Sequence, residues 1–123
     1  MVPDAPAALL LRLDAVAPDA LQETAVIVDG EAESVIVFHG GALGVRAWLN
    51  VCPHAGRRLD WSPGQFLRSK DGLLVCAVHG ASFDLASGLC VAGPCRGESL
   101  REVAVHCVEG EVRLGLAPVN TTG

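Results

Sequence analysis

Two short runs each place a cysteine and a histidine close together, Cys52-Pro53-His54 and Cys76-Ala77-Val78-His79. In each run a thiolate sulfur and an imidazole nitrogen can reach one metal centre from a single tight turn. Together the runs supply two sulfurs and two nitrogens, a ligand set that suits zinc or an iron–sulfur cluster. The sequence therefore predicts a metal site at Cys52, His54, Cys76 and His79, with the rest of the chain as its scaffold.

A glycine follows each histidine closely, so both runs have the order Cys, His, Gly, ending at Gly56 and Gly80. Glycine lets the backbone come close to a metal centre and point N–H groups at sulfur. Apolar segments precede both cysteines, at residues 45–51 and 73–75, and each is predicted to be a strand. Two similar loops at the same end of a β scaffold can hold one centre from both sides.

Short strands with frequent turns dominate the rest of the sequence. Residues 34–51 are predicted to form one β-hairpin, and Glu109-Gly110 is the predicted turn of a closing hairpin. The segment Pro18–Glu23 is the exception, because Asp19 there could cap a helical turn. Little helical periodicity occurs elsewhere, so we predict an all-β fold, an antiparallel sandwich or open barrel. Predicted strands cover residues 9–13, 25–28, 34–38, 45–51, 73–75, 81–84, 103–108 and 111–114.

Length and composition favour a single domain over residues 1–123, because 123 residues that are 50% apolar can build one core. No apolar run is long enough to span a membrane. The N-terminus, Met1–Ala5, lacks the basic region of a signal peptide, so we expect a cytoplasmic protein. In a reducing compartment the five cysteines are more readily metal ligands or free thiols than disulfides.

The charge is unevenly distributed along the chain. The first 34 residues contain seven acidic residues and one arginine, whereas the remainder is close to neutral. No basic stretch with interleaved aromatic residues occurs, so nucleic acid is not an expected partner. Near the metal-binding runs lie Arg57, Arg58 and Arg96. Arg57 and Arg58 could form the rim of a docking surface, or simply belong to a solvated loop.

With its flanking residues, the sequence resembles the Rieske-type [2Fe–2S] proteins, in particular the small soluble Rieske ferredoxins. The family pattern is Cys-x-His, a gap and Cys-x-x-His, which matches residues 52–54 and 76–79 with 21 residues between them. Gly93-Pro94-Cys95 resembles the family's Gly-Pro loop, which covers the cluster. The resemblance spans roughly residues 34–116, with the cluster-binding part at about 50–97, and residues 62–71 would be a small insertion.

The resemblance implies which residue binds which iron and where the cluster lies. Cys52 and Cys76 would bind one iron of a [2Fe–2S] cluster, and His54 and His79 would bind the other. The two histidines would lie at an exposed tip, from which electrons pass to a docked partner. The implied fold is the Rieske-like antiparallel β sandwich or open barrel, with its two cluster-binding loops at one end.

Four positions differ from the high-potential members of this family. Those members carry a further cysteine in each loop and two hydroxyl donors to sulfur. The corresponding residues here are Arg57 or its neighbour, Val78, Ala81 and Phe83. Without the bracing disulfide and the hydroxyl donors, the reduced cluster is less stabilised. We therefore predict a potential in the lower part of the Rieske range of about −150 to +300 mV.

The function implied by the resemblance is electron transfer rather than catalysis. Such a ferredoxin takes single electrons from a flavoprotein reductase and passes them to a terminal oxygenase, and it is expected to be a monomer in isolation. An alternative is a small Rieske subunit of a reductase or oxidase complex, of the nitrite reductase small-subunit type. A redox sensor is a third possibility, although no DNA-binding element supports it.

The residues themselves leave several alternatives open. A structural zinc site remains an alternative for the four ligands, although their spacing differs from that of a zinc finger. Cys90 and Cys95 could pair or take part in redox chemistry, but small buried packing residues are the simpler interpretation. Trp48 and Trp61 could lie on an electron path, and core packing is again simpler. No role is assigned to Cys107.

Overall fold

The computed structural model describes residues 9–28, 30–40, 44–53, 56–78 and 80–115. His54, His79 and the predicted tail at 117–123 lie outside the described residues. Within them, one 3-10 turn (Leu13–Ala15) accompanies the strands. The strands are β1 (Leu9–Arg12), β2 (Leu21–Val28), β3 (Glu31–His39), β4 (Val45–Leu49), β5 (Leu67–Arg68), β6 (Leu74–Val75), β7 (Ser82–Phe83), β8 (Cys90–Ala92), β9 (Val105–Val108) and β10 (Glu111–Leu114).

The strands form three antiparallel sheets, with the orders β1-β10-β9, β2-β3-β4 and β5-β6-β7-β8. Most neighbouring strands are consecutive in sequence, so short turns connect them. The pair of β1 with β10 joins the two ends of the described chain. The predicted all-β antiparallel fold is confirmed. Among the described residues there is no α-helix, and the strands do not close into a barrel.

The predicted hairpin at residues 34–51 is confirmed as β3 paired with β4, with Ile36 opposite Trp48. The predicted helical turn at Pro18–Glu23 is wrong. Leu21 instead begins β2, which pairs with β3 along its whole length, starting with Leu21 opposite Phe38. The helical signal spans only four residues, too few to form a stable helix against eight pairs in a strand ladder.

The hydrophobic core has two parts. One contains Val35, Val37 and Val112 and lies between the β2-β3-β4 and β1-β10-β9 sheets. The other contains Trp48, Phe83 and both predicted ligand cysteines. Trp48 is fully buried against Gly88, where an added Cβ would lie 2.6 Å from its Nε1. Core packing is thus the role the structure gives Trp48, whereas Trp61 is 60% exposed.

The segment between the two cysteine runs contains two turns that are closed by their own hydrogen bonds. The N–H of Trp61 donates to the carbonyl of Gln65 at 3.0 Å, and the N–H of Gln65 donates to the carbonyl of Ser62 at 2.8 Å. A second turn is closed by the N–H of Ser69, which donates to the carbonyl of Leu73 at 3.0 Å. The predicted insertion at 62–71 therefore makes its own hydrogen bonds, with β5 between the two turns.

Candidate metal centre

Two loops with matching hydrogen bonds carry the predicted ligand cysteines. In the first, the N–H of Cys52 donates to the carbonyl of Arg57 at 2.7 Å, and the N–H of Gly56 donates back to the carbonyl of Cys52 at 2.8 Å. In the second, the N–H of Cys76 donates to the carbonyl of Ala81 at 2.7 Å, and that of Gly80 donates to the carbonyl of Cys76 at 3.0 Å. The order Cys, His, Gly that both runs share in the sequence therefore corresponds to two loops with the same hydrogen bonds.

Both loops depend on a glycine with a positive φ, 68° at Gly56 and 76° at Gly80. This left-handed backbone favours glycine because it has no Cβ. An added Cβ at either glycine would meet nothing within 4 Å, so backbone conformation, rather than space, accounts for the glycine. The loops thus turn sharply after the position of each predicted histidine ligand.

Cys52 and Cys76 are each 1% exposed and belong to the same buried cluster as Leu59. The N–H of Ala77 donates to the carbonyl of Leu59 at 3.2 Å, which ties the second loop to the segment that follows the first. Two buried thiols on two matching loops fit the sulfur half of a mixed iron–sulfur site.

The histidine half of the predicted site lies outside the described residues, at His54 and His79. Among the residues that the structure does describe, no group of three His, Cys, Asp or Glu side chains is placed to hold a metal ion. The full ligand set of Cys52, His54, Cys76 and His79 therefore stays a prediction.

A third loop, after β8, packs against these two. Gly93 has φ 101°, and an added Cβ there would lie 2.7 Å from Cα of Ala81 in the second loop. Cys95 is 1% exposed, and its Sγ lies 3.2 Å from Sγ of Cys90. Both thiols are free, which agrees with the packing role suggested by the sequence. Burial, together with the neighbouring Cys90 and Cys52 thiols, raises the pKa of Cys95 to about 12.

The buried side-chain amide of Asn50 holds the segment that follows the first loop. Asn50 is 1% exposed, and its Oδ1 accepts the N–H of Leu59 at 2.8 Å. Its Nδ2 donates to Oγ of Ser34 at 3.2 Å, and that hydroxyl donates to Oε2 of Glu23 at 2.7 Å. This chain of bonds links the loop to β2 and β3. Sequence reasoning missed it, because the partners are far apart in the chain.

An ion pair continues the same support. Arg58 donates through Nε and Nη2 to the two carboxylate oxygens of Asp60, at 3.0 and 2.8 Å, and through Nη2 to Glu23 at 3.1 Å. The N–H of Gly64 also donates to Asp60 at 3.0 Å. Burial alone would raise the pKa of Asp60, but the bonds from Arg58 and Gly64 outweigh it and lower that pKa. Arg58 is therefore a structural residue even though its side chain is 47% exposed, whereas Arg57 takes part in no ion pair within the described chain.

Acid should weaken the ion pair of Arg58 with Asp60. Because folding lowers the pKa of Asp60, its ion pair stabilises the fold fully above the ordinary carboxyl pKa of about 3.9 and loses that effect as the pH falls through the folded value. We expect Asp60→Asn to lower the free energy of unfolding by about 1–3 kcal/mol at pH 7. In this variant the free energy of unfolding should also fall less steeply than in the parent as the pH drops below about 4. Urea denaturation at pH 7 and at acid pH measures both effects.

Asp71→Asn is the matched control, since Asp71 is exposed and takes part in no ion pair within the described chain. It should leave the free energy of unfolding within about 0.5 kcal/mol of the parent value. A parent-like pH profile in the Asp60 variant would mean that Asp60 does not contribute as described.

Comparison with known proteins identifies the class of this chain. The Rieske [2Fe-2S] domain family matches residues 12–110. The chain therefore belongs to the Rieske [2Fe–2S] family, as its sequence pattern predicted. This family is defined by a [2Fe–2S] cluster, so membership implies that cofactor. Among curated proteins, none matches the chain significantly.

Solved structures show the same relationship. The chain is 26% identical to the ferredoxin of carbazole 1,9a-dioxygenase from Nocardioides aromaticivorans IC177, with a TM-score of 0.67, covering 92% of this chain and 100% of that one. It is 22% identical to the Sphingomonas yanoikuyae B1 ferredoxin, with a TM-score of 0.62, covering 91% and 100%.

Two further kinds of protein share the fold. A putative nitrite reductase NADPH small subunit is 22% identical, with a TM-score of 0.60, covering 89% of this chain and 98% of that one. Longer Rieske oxygenase chains also match, and this chain spans about a third of their length. The full-length matches to ferredoxins agree with the prediction of an electron carrier rather than an enzyme. In the described part of the chain, no helix is long and apolar enough to cross a membrane.

Proposed function

We propose that this chain is a single-domain electron carrier over residues 1–123, with a low-potential Rieske [2Fe–2S] cluster on Cys52, His54, Cys76 and His79. The observation that carries the proposal is the pair of matching loops with buried cysteines in a chain of the Rieske family. When bound, the cluster supplies one-electron oxidation and reduction. Similarity over the full length of a dioxygenase ferredoxin supports the role of an electron carrier.

The residues around the loops determine which side of the site meets a partner. Cys52 and Cys76 are buried in the core, so a docked partner comes less close to the cluster on the cysteine side. On the outer side, Val78 is 39% exposed and Pro94 is exposed. Arg57 is also exposed there and makes no ion pair within the described chain. A redox partner that docks at this end meets an apolar surface with an unpaired positive charge.

The partners we propose are a flavoprotein reductase as electron donor and a terminal oxygenase as acceptor. The ferredoxin from Nocardioides aromaticivorans, whose name places it with a carbazole 1,9a-dioxygenase, supports this class of acceptor. We further propose that the protein is cytoplasmic and monomeric when isolated. Neither nucleic acid nor a membrane is an expected partner.

The decisive test is the metal content and redox behaviour of the purified chain. We expect two irons and two acid-labile sulfides per chain, a brown colour, and the electron paramagnetic resonance spectrum of a reduced mixed-ligand cluster. Protein-film voltammetry should give a potential in the lower part of the range of about −150 to +300 mV. A colourless protein with one zinc per chain would overturn the proposal, and a potential near +300 mV would overturn its low-potential part.

The alternative is a small subunit fixed in a reductase or oxidase complex. The likeness to the putative nitrite reductase small subunit, at 22% identity, concerns the fold alone and does not favour this alternative. Size-exclusion chromatography of the native protein from cell extract separates the two. A carrier elutes as a free chain that a separate reductase can reduce, whereas a subunit elutes with its complex.

A further inference from the structure

We propose that Cys90 and Cys95 form a second redox site, in which hydrogen peroxide joins the two thiols as a reversible disulfide that holds the third loop in place. The proposed electron transfer uses neither of these cysteines. Formation of the bond does not depend on the cluster, whereas its effect on iron retention rests on the proposed function. The inference is carried by the contact of the two sulfurs, the backbone that holds them and the position of their loop.

The two thiols are already in contact with each other. Sγ of Cys95 lies 3.2 Å from Sγ of Cys90, and both thiols are free. The S–S bond of a disulfide is about 2.05 Å long, so the two sulfurs must approach each other by only about 1 Å. Small rotations of the two side chains are enough for such an approach.

Backbone hydrogen bonds hold both cysteines. The N–H of Cys90 donates to the carbonyl of Glu98 at 2.7 Å, and the N–H of Gly97 donates to the carbonyl of Cys90 at 3.0 Å. The N–H of Glu98 donates in turn to the carbonyl of Cys95 at 2.9 Å. The two sulfurs therefore start from backbone positions that are fixed relative to each other, and the loop need not refold for the bond to form.

Little hydrogen bonding is lost when the two thiol hydrogens leave. Sγ of Cys90 donates to the carbonyl of Ala92 at 3.1 Å, and Sγ of Cys95 donates to Sγ of Cys90. A thiol is a weak donor, so these two bonds contribute little to stability. Both sulfurs belong to the buried cluster that contains Trp48 and Phe83, and a disulfide would keep them there.

A peroxide supplies the oxidising equivalents for the bond. One thiol reacts with hydrogen peroxide to give a sulfenic acid and one water, as the O–O bond breaks. The second thiol then attacks the sulfenic sulfur, which forms the S–S bond and releases a second water. The two thiols lose two electrons and two hydrogens, and the two peroxide oxygens take them up. Because Cys90 and Cys95 are each 1% exposed, the site admits only a small oxidant and reacts slowly.

The bond would hold the third loop against the second ligand loop. Gly93 and Pro94 lie within the ring of residues 90–95 that the bond closes. The backbone of Gly93 packs directly on Ala81, since an added Cβ there would lie 2.7 Å from its Cα. Closing the ring restricts the conformations in which this loop moves away from the second ligand loop. We therefore expect the oxidised protein to release iron to a chelator several-fold more slowly than the reduced protein.

The first test maps the thiols of the purified holoprotein before and after treatment with hydrogen peroxide. Alkylation in denaturant, followed by trypsin, releases residues 71–96, a peptide that contains Cys76, Cys90 and Cys95. All three cysteines should be labelled before treatment. After treatment only Cys76 should be labelled, and a phosphine reductant should restore the other two sites.

Three results of this test would overturn the inference. The first is a label that remains on Cys90 or Cys95, which would mean that one of them pairs elsewhere or does not react. The second is the addition of oxygen to either sulfur without a bond between them. The third is loss of the cluster before any bond between the two cysteines appears.

The second test compares the rate of iron release to a chelator before and after oxidation, in samples with the same iron and sulfide content. The parent should become several-fold slower, whereas Cys90→Ala, which cannot form the bond, should keep its rate. Cys107→Ser is the matched control, because it removes an exposed thiol outside the third loop and should respond as the parent does. Equal rates for the reduced and oxidised parent would overturn the inference.

The two tests keep this inference separate from the proposed function. If the parent chain contains no iron and sulfide, the proposed function fails, but the mass of the peptide still decides whether the two cysteines join. If the parent holds a cluster and the bond does not form, only the inference fails.

Discussion

Cys52→Ala is expected to yield a protein that has lost nearly all of its iron and acid-labile sulfide. Cys52 supplies one of the two buried sulfurs of the proposed site, and no other described thiol lies on its loop. Cys95, which is also buried, lies on the third loop and not on either ligand loop. Iron and sulfide analysis and the visible spectrum measure the loss.

A matched variant separates ligation from packing. Cys90→Ala removes a sulfur that is equally buried, 1% exposed, and belongs to the same core cluster. Both substitutions should lower the free energy of unfolding by about 1–2 kcal/mol through lost packing. Only the Cys52 variant should lose the cluster. Normal iron content in Cys52→Ala, or equal loss in both variants, would contradict the assignment of Cys52 as a ligand.

Gly93→Ala should lower the free energy of unfolding by about 3 kcal/mol or more and accelerate release of iron to a chelator. The φ of Gly93 is 101°, so alanine would be strained there by about 1–3 kcal/mol. Its Cβ would also lie 2.7 Å from Cα of Ala81, so that the third loop must move away from the second ligand loop. That contact involves backbone, which has little room to yield. Guanidinium denaturation and the rate of iron release give the two measurements.

Gly97→Ala shows the effect of backbone strain without a contact like that of Gly93 with Ala81. Gly97 lies in the same loop with φ 96°, but an added Cβ there meets nothing within 4 Å. It should therefore show the loss of stability due to strain alone and should retain iron as the parent does. If the two glycine variants release iron at the same rate, the approach of Gly93 to Ala81 does not hold the loop in place.

The parts of the site that could be predicted from the sequence are the local ones. The order Cys, His, Gly in each run indicated two similar loops, because a turn of five residues is determined by its own residues and their spacing. Two apolar segments separated by the glycine-rich stretch 39–44 indicated the hairpin of β3 and β4 for the same reason. The helical turn at Pro18–Glu23 was wrong, since there the pairing of β2 with distant β3 outweighs the local preference.

Contacts between distant loops could not be predicted. The bond of Asn50 to Ser34 and that of Arg58 to Glu23 join residues 16 and 35 positions apart, and nothing in the sequence marks the partners. The approach of Gly93 to Ala81 likewise depends on how the third loop folds back. Strands of two residues, such as β5, are too short to show a pattern. These features result from packing of the whole chain.

The two turns in the segment between the cysteine runs have a consequence for related sequences. Both turns are closed by their own hydrogen bonds, and the two ligand loops are linked instead through Ala77 and Leu59. Residues 64–68 are tied to Asp60, to the core and to β6, whereas Lys70 and Asp71 lie exposed in the second turn. An insertion at residues 70–71 would thus leave the distance between the two ligand loops unchanged, so the length of the interval can vary there. A search for related proteins should accordingly leave that interval unspecified.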